Sequence, residues 1–168
     1  MKNYLILLLS LFLWACNDGD LEIASIDFDD IALQTCETTV TTGTTVFFKI
    51  NGDESLILDL QDGILANEES QDTIVSSIPG QSTLVYRIFN GTVTKNYFCD
   101  AIPPAQPVVQ EEIEAVSGEV LVNTMRNASD TTQFDHTILL RDVTLINAQG
   151  ERITDTSIDD FGTVSTKQ

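Results

Sequence analysis

Histidine and positive charge are both scarce in this chain, and each scarcity closes off a class of function. The single histidine, His136, cannot build a site from several imidazoles. No Gly-x-Ser-x-Gly elbow is present to pair it with a serine nucleophile. Eight Lys and Arg stand against 26 Asp and Glu, a net charge of −18 over 168 residues. Such a surface repels phosphates, which excludes nucleic acid as a partner. Phosphate-cradling glycine loops, Walker patterns and zinc spacings are missing too. Sustained helical periodicity with caps is found nowhere, which argues against a helical fold. The one long apolar run, residues 4–14, is too short to span a bilayer and contains the only tryptophan, Trp14.

What the chain does have begins at that run. Lys2 gives a positive start, and the run ends in Leu13-Trp14-Ala15-Cys16, with the small Ala15 beside a candidate cut. This segment resembles the signal of bacterial lipoproteins. With the acidic stretch and β-rich body that follow it, the chain as a whole is similar to lipoproteins of flavobacterial (Bacteroidota) type. The resemblance implies removal of residues 1–15, diacylglycerol on the thiol of Cys16, and a further acyl chain on its new amino terminus. Each buried methylene contributes about 0.8 kcal/mol, so several chains anchor firmly without a basic face. The location implied is an outer membrane, facing the periplasm or displayed on the cell surface. Asp18 and Asp20, close behind the anchor, loosely resemble the surface-export signal of Bacteroidota lipoproteins.

Behind the anchor, residues 16–22 read as an acidic tether, 23–100 as an N-terminal β region, 101–107 as a Pro-rich linker and 108–168 as a C-terminal β region. Twenty Thr, fifteen Ile and twelve Val follow the cut, a β-branched load that favours strands. The expected fold is all-β, an antiparallel β-sandwich, with residues 101–107 joining either two sheets of one domain or two small subdomains. Asn90-Gly91 between two strand-like runs predicts a type I′ hairpin of residues 84–89 with 92–99, pairing Ile88 with Val93 and putting Cys99 on the core face. Residues 44–50 and 55–60 form a second hairpin, in which either Lys49 faces Glu54 or Ile50 faces Ser55. Its strands are apolar on both faces and should be covered from two sides. Residues 23–33 offer a first strand, 73–78 another, Ser117-Gly118 a turn, and residues 162–168 a fraying tail.

Few residues offer chemistry. With Cys16 set aside, Cys36 and Cys99 remain in a chain bound for an oxidising compartment, and a disulfide between them is expected as a staple across the core; two free thiols are the alternative. On the chain-entropy model such a closure stabilises by roughly 4 kcal/mol. Calcium would suit acids converging from loops, with Asp155, Asp159 and Asp160 the best set, although no EF-hand spacing exists. Phe89 and Phe98 are candidates for an exposed ligand-binding pair on the wetter hairpin face. Of two polar loops, residues 61–72 should be tucked down by Ile64 and Leu65, while 123–135 should be mobile and the better binding loop. These readings favour a non-catalytic envelope lipoprotein that binds or assembles with a protein or glycan. The rivals are a calcium-stabilised adhesive module and a small hydrolase built on His136.

Overall fold

The β-branched and aromatic runs pair into eight antiparallel strands in the computed structural model, which describes residues 26–150, 152–153 and 159–168. The expected leader, the tether and Cys16 lie outside those residues, as does Asp155. The strands are β1 (Val46–Asn51), β2 (Glu54–Asp59), β3 (Ile74–Ile78), β4 (Thr83–Phe89), β5 (Val109–Arg126), β6 (Gln133–Ile146), β7 (Arg152–Ile153) and β8 (Asp160–Lys167), with one short helix, α1 (Lys95–Cys99). They form one curled sheet in the order β1-β2-β4-β5-β6-β7, with β3 added on β5 and β8 on β6. The all-β class expected from composition is therefore the class observed.

Curling follows from the length of β5. Its first residues, up to Glu114, pair with β4, while its later residues pair with β6 on one side and β3 on the other. Within it, Ser117-Gly118 is a bulge and not the expected turn: the register against β6 shifts on both sides of Ser117 while the strand continues. Gly118 makes this possible. Its φ of +140° is one that L side chains rarely adopt, and a Cβ there would lie 3.0 Å from Val143 Cα. Gly118→Ala should cost about 1–2 kcal/mol, read as a lowered urea midpoint at unchanged slope; an unaltered midpoint would show that the bulge tolerates a side chain.

One hydrophobic core runs through the curl. It takes Phe28, Phe47, Leu56 and Leu58 from the first half of the chain and Val120, Val122, Ile138 and Phe161 from the second, so the β regions on either side of residues 101–107 share it. They also share the β4–β5 ladder. Ile64 and Leu65 are buried in this core and tuck the 61–72 loop down as expected.

The Asn90-Gly91 hairpin does not form. Both edges of β4 are taken, by β2 and β5, so the chain must leave the sheet after Phe89. Neither Asn90 nor Gly91 takes the positive φ that a type I′ turn needs. Instead Asn90 donates its N–H to Val108 O and accepts the Val108 N–H on Oδ1, closing an excursion that contains α1 and the Pro-rich segment. The other hairpin takes the Ile50–Ser55 register, closed by Asn51 opposite Glu54 over Gly52-Asp53. Residues 26–33 keep the alternation of a strand, with Ile26 and Phe28 buried and Asp27 and Asp29 exposed, but only Gln34 bridges to the sheet, at Phe48. Residues 162–168 do not fray: β8 pairs along β6.

Candidate functional site

Polar groups buried on the core side of the second half of the sheet converge at one end of β5, β6 and β8. Thr124 follows Val120 and Val122 at core parity on β5, and His136 sits between Phe134 and Ile138 on β6. His136 is wholly buried, with Thr124 Oγ1 2.8 Å from Nδ1 and Thr166 Oγ1 2.8 Å from Nε2. Thr166 gives its own proton to Asn67 Oδ1 at 2.6 Å, so it accepts from Nε2–H, and Nδ1 accepts from Thr124. Burial lowers the pKa of the ring from its usual value, against the opposing pull of Asp135, and the neutral imidazole is the form these bonds fit.

Such geometry holds a histidine in place and offers no proton to a substrate. Asp135 faces the other side of the strand, where its carboxylate accepts from Asn127 Nδ2 (2.8 Å) and Ser165 Oγ (2.6 Å). It therefore does not orient the ring, and the partners of His136 are threonines.

The 61–72 loop crosses this end of the sheet. Asn67 reaches Thr166, and Ser70 is held by β5: its N–H donates to Thr124 O at 3.0 Å and its Oγ accepts the Thr124 N–H at 2.7 Å. Beside Ser70 lies a depression of about 210 Å³ lined by Ala66, Glu68, Glu69, Ser70, Gln71, Asp72, Ile74 and Thr124. Three carboxylates on its rim make it acidic, and Arg126 lies 3.8 Å from Glu69. A small cationic or hydrogen-bonding group is the chemistry it could receive. No nucleophile paired with a base lines it.

The segment expected to be the mobile binding loop, residues 123–135, is mostly strand, because β5 runs to Arg126 and β6 starts at Gln133. Its remaining tip is tied by its own side chains. Asn127 Oδ1 accepts the N–H groups of Ser129 and Asp130, and Asp130 accepts from Thr132 N–H, Thr132 Oγ1 and Gln133 Nε2. These bonds, Thr132 first, lower the Asp130 pKa to about 2.

Phe89 and Phe98 do not form an exposed pair. Phe89 is 1% exposed, and with Phe48, Tyr97 and Phe98 it builds an aromatic cluster on the outer face of the β1-β2-β4 region. Phe98 stacks on Phe48 at 4.6 Å, and Tyr97 meets Phe89 edge-on at 4.9 Å. Coverage from two sides, expected for these strands, is thus provided by α1. Cys36 and Cys99 are bonded. Cys36 is exposed and Cys99 lies on α1, so the bond clips a surface excursion instead of stapling the core; once the hairpin fails to form, the parity argument for Cys99 fails with it.

Of the acids proposed for calcium, Asp159 and Asp160 are exposed, and Asp155 lies outside the described residues. The cation observed nearby is the Lys49 ammonium, 3.0 Å from the carbonyl of Asp160. Among the described residues no three His, Cys, Asp or Glu come together as a metal set, and no helix is long and apolar enough to cross a membrane. Comparison of the chain with family models, with curated proteins and with solved structures gave no match.

Proposed function

We propose that this chain is a membrane-anchored, non-catalytic lipoprotein with a binding or assembly role at the cell envelope, where its partner is a protein or a glycan. Leu13-Trp14-Ala15-Cys16, behind a basic start and a short apolar run, carries the proposal. Two features support the non-catalytic part. The only histidine is sealed between Thr124 and Thr166, and the acidic depression beside it holds no paired nucleophile and base. The surface charge favours a cationic partner. Among the described residues Arg87, Arg126, Arg141 and Lys167 are each ion-paired to an acid of the chain itself and Lys49 is buried, while Lys95 and Arg152 are exposed.

The test starts at the anchor. Mass spectrometry of the protein extracted from membranes should show a mature chain beginning at Cys16 and carrying acyl chains. Cys16→Ser should move most of the protein to the soluble fraction. A Cys16→Ser protein that stays as membrane-bound as the parent, with no acyl mass on the parent, would remove the basis of the proposal.

A further inference from the structure

We infer that α1 and its flanks form a flap whose closure over the aromatic cluster is controlled by the oxidation state of Cys36 and Cys99. The main core and the cluster are separate: Phe48 and Phe89 are buried but lie on the sheet face opposite the shared core. What covers them is slight. α1 is five residues long, has no side-chain cap bond at Thr94, and buries none of its residues completely. Residues 100–106, which follow it, are exposed. The flap meets the body through Val93 N–H to Gly52 O, Asn90 N–H to Val108 O, three ring contacts and the disulfide. Cys36 stands two residues beyond Gln34, which bridges to Phe48, so the covalent bond fastens the far end of the flap to the sheet edge directly beside the ring it covers.

One buried atom favours opening. Ser55 shares a strand face with Ile57, the cross-strand partner of Phe48, and is therefore on the covered side. It is wholly buried, and its hydroxyl is the one buried side-chain polar atom among the described residues without a hydrogen-bond partner. Closure holds that hydroxyl away from water, and lifting the flap hydrates it. The disulfide thus keeps shut a cover whose own contacts are few.

The clip is open to exchange because Cys36 is exposed. A dithiol is the reductant required. Its first thiolate attacks Cys36 Sγ, the S–S bond breaks, and Cys99 leaves as a thiolate that takes a proton. The second thiol then displaces Cys36 from the mixed disulfide. Two electrons and two protons pass to the protein, and the dithiol becomes a disulfide.

Amide hydrogen exchange on the full-length protein, with and without dithiothreitol, tests this independently of location or partner. After reduction, the amides of Val93, Tyr97 and Asp100 should exchange at least about 100-fold faster than those of β5 and β6, and an apolar dye should bind. Cys36→Ser should reproduce both effects without reductant. The inference is overturned if the flap amides keep their protection after reduction. It is equally overturned if flap and sheet amides accelerate together, since the disulfide would then serve the whole fold and not the flap.

Discussion

Lys49→Ala should lower the unfolding free energy by about 3–4 kcal/mol, whereas Lys49→Met should lower it by only about 1–2 kcal/mol. Lys49 is 2% exposed, on the same face of β1 as Phe47. Its ammonium donates to Phe28 O at 2.9 Å and Asp160 O at 3.0 Å, and it lies 5.7 Å from the centre of the Phe161 ring. One charge thus ties three separate pieces together: the segment before β1, β1 itself and the start of β8. Burial lowers its pKa, while Asp160 and Asp29 act in the other direction. The two variants divide the contribution. Alanine loses three of the four stem carbons and both charge-assisted bonds; methionine keeps the apolar volume and loses the bonds and the ammonium over the Phe161 ring. Phe28 O keeps its bond from Ile31 N–H in either case, which limits the loss. Urea unfolding followed by circular dichroism measures both. An alanine variant within 1 kcal/mol of the parent would mean that the ammonium is not a tie.

That lysine also shows what sequence can and cannot give. β-branched content and two-faced apolar runs were enough for an all-β class and for burial of Phe47, Phe48, Leu56 and Leu58, with Ile57 half-buried, because burial follows composition over a few residues. Lys49 in the middle of the same run was legible as a strand residue. Its partners, 21 and 111 residues away in sequence, were not.

Asn90-Gly91 failed for a related reason. Turn chemistry reports what two residues prefer, while the ladder on each side of β4 was decided by β2 and β5, and tertiary pairing overrode the turn. Asn90 still closes a connection, but between Phe89 and Val108. The disulfide was readable from arithmetic and compartment, yet its position depended on the hairpin and moved with it. The polar cluster at His136 has a signal in the sequence, in the parity of its strands. Thr124 continues the core parity of Val120 and Val122, and His136 that of Phe134 and Ile138, so two polar residues fell on apolar faces of neighbouring strands. Polar residues at core parity must find partners, and here they find each other.

Lowering the pH from 7 to 5 should reduce stability through His136, and because it is the only histidine, the effect should be attributable to one residue. Its pKa in the folded protein lies below the ordinary value near 6.5, since burial disfavours the imidazolium and both ring nitrogens are matched to threonines in the neutral form. The folded state therefore binds fewer protons than the unfolded state across this window. The contribution of the neutral ring is fully present above the unfolded pKa and is lost as pH falls through it toward the folded one, with a limiting slope of about 1.4 kcal/mol per pH unit for a single proton. Ordinary carboxylates titrate mainly below this range, and Asp130, at about 2, titrates far below it. Over the interval the parent should lose up to about 2 kcal/mol. In His136→Gln the absolute stability at pH 7 should be lower, because Thr124 and Thr166 are no longer matched, but the dependence between pH 7 and 5 should flatten. Urea midpoints at half-unit steps of pH supply the comparison. The same slope in His136→Gln as in the parent would assign the protons to carboxylates and rule out the buried ring as the acid-sensitive element.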